Sequence, residues 1–231
     1  MIMKATFTRS GIHAVVAVVA AVVLSCLASC SDKDEDSNYP RIRSDFFDVL
    51  VDKDSMVTHA TLDDGKTYAI SNVRSLHAMT NDTIIRCHGT LEISADSTMV
   101  TIYSVQSITS GMAYTAEEYK ERHMPTEQYP VKVVAIYKAR SYINLIVNTM
   151  VEASLEHALD FMCDSISNRN GCRMLHIHLT HWRRPEEIEA YTQKNYLSLP
   201  LGKEFFLDEY KDFDSVEISI NTYEGVKKYC F

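Results

Sequence analysis

The sequence predicts an all-β protein, an N-terminal OB-type barrel followed by a C-terminal antiparallel β-sandwich. Three observations carry this. Short runs rich in β-branched and aromatic residues recur from Asp45 to the C-terminus, with turn residues between them. Asp64-Gly65 separates two of these runs, and Asp-Gly between apolar runs is the strongest short-range hairpin signal. No sustained helical period follows the first thirty residues, which argues against an α/β enzyme scaffold.

The chain opens with a leader. Lys4 and Arg9 precede the apolar run Ala14 to Leu27, which ends in Leu27-Ala28-Ser29-Cys30. A basic start, a short apolar stretch and small residues before a cut define a secretory signal peptide. The run is shorter than the roughly 20 residues that a membrane-spanning helix needs. A cysteine directly behind the cut makes the leader a lipoprotein one: residues 1–29 are removed and Cys30 becomes the acylated N-terminus. A second site, before Cys26, is poorer because the bulky Leu24 stands two residues ahead of it. One acyl chain anchors only marginally, but a diacylglyceryl cysteine carrying a further chain holds firmly. Residues 30–44 read as an acidic tether, because Ser31 to Asn38 contain no apolar residue and cannot bury enough to fold. Acidic residues immediately behind the cysteine resemble the export signal of surface lipoproteins in the Bacteroidetes. The expected location is therefore the outer membrane, lipid-anchored and exposed at the cell surface.

Composition excludes some partners. Loss of Lys4 and Arg9 with the leader reduces 23 basic residues to 21 against 31 acidic ones, a net charge near −10. Nucleic-acid binding needs a basic stripe, and docking by charge on an anionic bilayer needs the same, so neither is expected. The 7 glycines supply no Walker or dinucleotide fingerprint. No cofactor is implied.

Residues 45–113 hold the barrel strands: Phe46–Val51, Thr58–Leu62, Thr67–Ile70, Thr83–Cys87 and Met99–Val105. The stretch Ser110–Tyr129 breaks the pattern with Gly111, Pro125 and a helix-compatible piece, Ala116–Arg122; within it residues 114–129 are the connection. Residues 130–231 are the sandwich. Its expected strands are Val131–Tyr137, Tyr142–Asn148, Leu155–Cys163 and Cys172–Thr180, with a polar turn over Asp164–Gly171. Arg183–Lys194 reads as a helix or irregular loop. Ser215–Asn221 then turns through Glu224-Gly225 into Val226–Phe231.

This order of pieces resembles the NigD-like lipoproteins of Bacteroidetes. The matching residues are the lipobox with its acidic follower, Leu62-Asp63-Asp64-Gly65-Lys66-Thr67-Tyr68, Asn81-Asp82-Thr83-Ile84-Ile85-Arg86-Cys87, Tyr196-Leu197-Ser198-Leu199-Pro200-Leu201 and Ile220-Asn221-Thr222-Tyr223-Glu224-Gly225. The resemblance implies an OB barrel before a β-sandwich, spans nearly the whole mature chain, and brings no biochemical activity with it.

Candidate chemistry is sparse. In Leu175-His176-Ile177-His178-Leu179, strand alternation puts the aliphatic residues on one face and the two histidines on the other. His176 and His178 are the metal candidates, but a site needs a third ligand, and His157 shares parity with the apolar face. The expected state is solvated histidines and no metal. Cys163 and Cys172 flank one predicted turn and form the candidate disulfide, although their parities oppose each other. Cys87 and Cys230 complete the mature thiols, and buried free thiols are the expected state. Asp63-Asp64 and Glu186-Glu187 read as solvated surface. No catalytic residue emerges. The function expected is a non-catalytic binding or interaction module, its ligand or protein partner unidentified. The alternatives are a glycan-binding accessory protein, a bacteriocin-associated immunity or accessory factor, and a hydrolase.

Overall fold

The structure is a computed structural model that describes residues 41–231 apart from 53, 55, 76–82, 112, 123, 125–126, 153–156 and 185–189. The leader and Cys30 lie outside the described residues.

Alternating side chains build the barrel. Strands β1 (Ile42–Val51), β2 (Met56–Leu62), β3 (Thr67–Ser75), β4 (Thr83–Ile93) and β5 (Met99–Ser107) close in the order β1-β2-β3-β5-β4. The pairs are antiparallel except β3–β5, joined in parallel through Ala69 with Met99 and Ile70 with Val100. Because successive side chains point to opposite faces, Phe47, Val49 and Val51 enter the barrel with Leu62, Tyr68, Cys87 and Leu91. The outer face of β1 and β4 is left with Phe46, Asp48 and Leu50 beside His88, Arg86 and Ile84.

A short helix follows the barrel. After β6 (Tyr114–Thr115), α1 (Ala116–Glu121) begins on a reciprocal cap: Glu118 N–H donates to Thr115 Oγ1 at 3.1 Å, and Thr115 N–H donates to the Glu118 carboxylate at 2.8 Å. Tyr119 on α1 is buried, its hydroxyl 3.1 Å from Thr180 Oγ1.

Two sheets follow. β7 (Lys132–Ala139), β8 (Tyr142–Val151) and β11 (Tyr191–Pro200) form an antiparallel sheet ordered β11-β8-β7. β9 (Ala158–Arg169), β10 (Cys172–Trp182), β12 (Ser215–Thr222), β13 (Gly225–Cys230) and β6 form a sheet ordered β13-β12-β10-β9-β6. In that sheet the β10–β12 and β6–β9 pairs run parallel and the others antiparallel. Ile143, Leu145, Leu197 and Leu199 from the first sheet share one buried core with Phe161, Leu175, Ile177, Ile218 and Ile220 from the second.

Two expectations need correction. The turn between β9 and β10 is not Asp164–Gly171: the strands continue to Arg169 and from Cys172, leaving Asn170-Gly171 as the bend. Of the stretch read as helix or loop, Tyr191–Lys194 is strand, paired with Val151–Asn148 of β8; residues 185–189 lie outside the described residues.

Candidate functional site

Along the outer barrel face the paired residues form three rungs, Leu50 with Ile84, Asp48 with Arg86 and Phe46 with His88. The β11-β8-β7 sheet packs over the second and third. The first is left open, with Leu50 43% and Ile84 66% exposed.

The middle rung is an ionic knot. Arg86 donates from Nη1 to Asp48 at 3.2 Å, from Nη2 to Asp63 at 2.6 Å and to Asn144 Oδ1 at 2.9 Å, and from Nε to Ser198 Oγ at 3.1 Å. Asn144 Nδ2 donates to the other oxygen of Asp63 at 2.6 Å, and Ser198 Oγ donates to Asn144 Oδ1 at 2.6 Å. The Tyr142 ring lies 3.9 Å from the guanidinium carbon, a distance at which ring and cation attract. Burial raises the Asp48 carboxyl above its ordinary value, while Arg86 pulls the other way. Both carboxylates bind the one guanidinium. The knot joins barrel (Asp48, Asp63, Arg86) to sheet (Asn144, Ser198), and a backbone bond from Ser198 N–H to Thr109 O at 2.9 Å runs beside it.

Cavities open at both ends of the rungs. Beyond Leu50 and Ile84 lies a groove of about 810 Å³ that reaches Tyr142, Pro200 and Phe205. At the other end, two cavities of about 340 and 240 Å³ share Gln106 and Tyr196. There the His88 and Tyr196 rings stack with centroids 3.6 Å apart and planes at 16°. Phe46 meets the His88 ring edge-on at 4.9 Å. Burial, followed by the charge of Lys194, lowers the His88 pKa below 6.5, which favours the neutral imidazole at neutral pH.

The residues singled out from sequence lie elsewhere. Leu175, Ile177 and Leu179 are buried and His176 and His178 half-buried on the opposite face, as alternation required. His176 Nδ1 is 3.0 Å from Glu217 and Nε2 is 2.7 Å from Ser167 Oγ, while His178 lies 3.9 Å from Asp164. His157 pairs instead with His181, ring nitrogens 3.0 Å apart. Among the described residues no three His, Cys, Asp or Glu side chains are grouped to hold a metal. Cys163 sits in the core opposite Ile177, whereas Cys172 is exposed at the far end of the hairpin opposite Arg169. That register keeps the two sulfurs apart and both thiols free. Asp63 is a correction of another kind: its turn neighbour Asp64 leaves it the look of surface, yet its side chain is 13% exposed and bound to Arg86. Sequence reasoning also passed over Arg86 itself. The available signal was an arginine inside a β-rich run, since a buried arginine requires anionic partners.

No family model and no curated protein matches the chain. Solved structures do. A NigD-like immunity protein from Bacteroides caccae superposes with a TM-score of 0.63 at 22% identity, covering 83% of this chain and 93% of that one. It is the NigD-like fold. A toxin-related protein from Parabacteroides distasonis shares it with a TM-score of 0.60, 14% identity and coverage of 82% and 92%. A candidate lipoprotein from Bacteroides fragilis follows with 0.58, 15%, and coverage of 83% and 97%. Within this chain, three of the segments that carried the resemblance meet at the knot, through Asp63, Arg86 and Ser198.

Proposed function

We propose that this protein is a lipid-anchored, surface-exposed, non-catalytic binding module whose partner docks at the barrel–sandwich junction. The observation that carries the reading is the rigid knot at Arg86 with a cavity at each end of its row. Binding sites are concave, largely preformed and lined by a few converging polar groups. The acids at the junction are engaged by Arg86, which leaves the arrangement suited to holding a ligand and not to proton transfer. Cys30 supplies the anchor in this reading, residues 30–44 the tether, residues 45–113 the barrel and 130–231 the sandwich, with 114–129 between them.

Hydrogen exchange on the full-length lipoprotein tests the binding role. Addition of an envelope extract from the producing cells is expected to slow exchange along Ser104–Thr109 and Gln193–Leu197 or along Leu50 and Ile84. Protection confined to the outer face of β10 and β12 would sink the junction as the site. A second reading, an immunity or accessory factor, is favoured by the name of the Bacteroides caccae neighbour. Cells lacking the gene should then become sensitive to a toxin encoded beside it; unchanged survival counts against that role.

A further inference from the structure

We propose that the cleft beside Tyr196 binds a neutral oligosaccharide, an inference that rests on reading the junction as a binding site. The two cavities share Gln106 and Tyr196 and so lie side by side. Their walls carry hydroxyls and amides: Ser104, Ser107, Thr109, Gln106, Gln193 and Asn195. Hydroxyls donate and accept at once, as sugar hydroxyls do, and an amide carries a donor and an acceptor side by side. Two of the amides are fixed in place, Gln193 Nε2 donating to Asn195 Oδ1 at 3.5 Å and Asn195 Nδ2 to Thr149 Oγ1 at 2.9 Å. Among the described lining residues, Lys194 is the one with a fixed charge and no carboxylate is present. A nucleic acid would need a row of cations, which is absent from this lining.

The aromatic component is also in place. Tyr196 is held by the His88 ring stacked at 3.6 Å and by Phe46 edge-on at 5.9 Å, so its plane is fixed before any ligand arrives. A rigid tyrosine offers an apolar face with a polar tip at little entropic cost. The C–H face of a pyranose can lie on such a ring while its hydroxyls reach the flanking amides. The groove at the other end of the row has a different character, with Leu50, Ile84 and Phe205 exposed along it. The two ends therefore suit different ligands, and the polar one suits sugar.

The test titrates full-length lipoprotein in detergent micelles with hexasaccharides of α-glucan, β-glucan and mannan, and with an acidic galacturonan hexamer, following side-chain amide resonances by NMR. At least one neutral hexamer is expected to bind saturably at millimolar concentration and shift Gln106 and Gln193. Gln106→Ala should weaken it by about tenfold, the loss of a good hydrogen bond. Tyr196→Phe should retain binding and Tyr196→Ala abolish it, while His178→Ala on the outer face of β10 leaves it unchanged. Absence of saturable binding by every neutral hexamer overturns the proposal, as does binding that survives both Gln106→Ala and Tyr196→Ala. Preference for the galacturonan overturns its neutral character. If an envelope protein protects the cleft from exchange and no sugar does, the sugar fails and the binding reading stands. If no sugar binds and the extract protects neither end of the row, both fail.

Discussion

Arg86 keeps 3% of its side chain in solvent, and its partners Asp48 and Asp63 keep 15% and 13%. A cation this deeply placed is tolerated because its donors are met by carboxylate, amide and hydroxyl oxygens. Removing it strands two anions. Arg86→Met should therefore lower unfolding free energy by about 3–5 kcal/mol, read from urea denaturation. Adding Asp48→Asn and Asp63→Asn should restore much of that loss, a non-additive result diagnostic of coupled charges. Asp160 shows the opposite case. Burial raises its carboxyl above 3.8, offset in part by the bond from Phe161 N–H. The folded state thus holds this proton to higher pH than the unfolded chain, and stability falls as pH climbs through the window just above 3.8. Asp160→Asn should be the more stable protein at neutral pH and match wild type in acid; a wild type that is more stable at both pH values contradicts this. What was legible at these positions follows from distance along the chain. The faces of His176 and His178 follow from local alternation. Arg86 and Ser198 stand 112 residues apart, and no local pattern announces their meeting.

Asn170 and Gly171 adopt φ of 55° and 81°, the pair of positive values that a two-residue hairpin bend requires. The polar stretch before them has the composition of a loop, but pairing with β10 draws it into strand and moves the turn to its end. Asn170→Ala should cost a fraction of the roughly 1–2 kcal/mol that the left-handed region costs an L-residue, because Asn tolerates that region through local hydrogen bonding and Ala does not. Asn170→Gly, which removes the Cβ, should cost less; equal melting temperatures for the two would refute the turn assignment. Gly89 is constrained by contact. A Cβ there would stand 2.1 Å from the Ser104 carbonyl oxygen, where β4 and β5 press together. Gly89→Ala should destabilise by about 1–3 kcal/mol as an overpacked site, seen in the same thermal scans. Strands with clean alternation, such as β1, β8 and β12, were readable from sequence. β11 was misread at its start because Glu186-Glu187-Ile188-Glu189 looks helical, and only β8 alongside determines that Tyr191–Lys194 is extended.

In our reading the mature chain is an acidic, all-β body behind a lipidated Cys30. Among the described residues no helix is long and apolar enough to cross a membrane. In the proposed reading the lipid on Cys30 holds the protein on the bilayer. Cys30→Ser removes the thioether sulfur and should abolish incorporation of labelled palmitate; labelling that persists would point to Cys26. Alanine at Asp32, Asp34, Glu35 and Asp36 should keep the lipid yet reduce cleavage by external protease on intact cells. The two-part β architecture was legible because turn signals punctuate the sequence regularly. The parallel β10–β12 pairing was not, since Met174–His178 meet Ser215–Ser219 from a distant part of the chain.

The knot at Arg86 also has an order in time. Synthesis runs from the N-terminus, and every barrel strand is present once Ser107 has been made. Asp48 and Asp63 can then hold the guanidinium, with Nε still lacking its hydroxyl. Asn144 arrives with β8 and Ser198 only with β11, so the barrel waits with a partly answered cation that the later sheet must find. A chain that stops before Ser198 keeps the question and loses the answer.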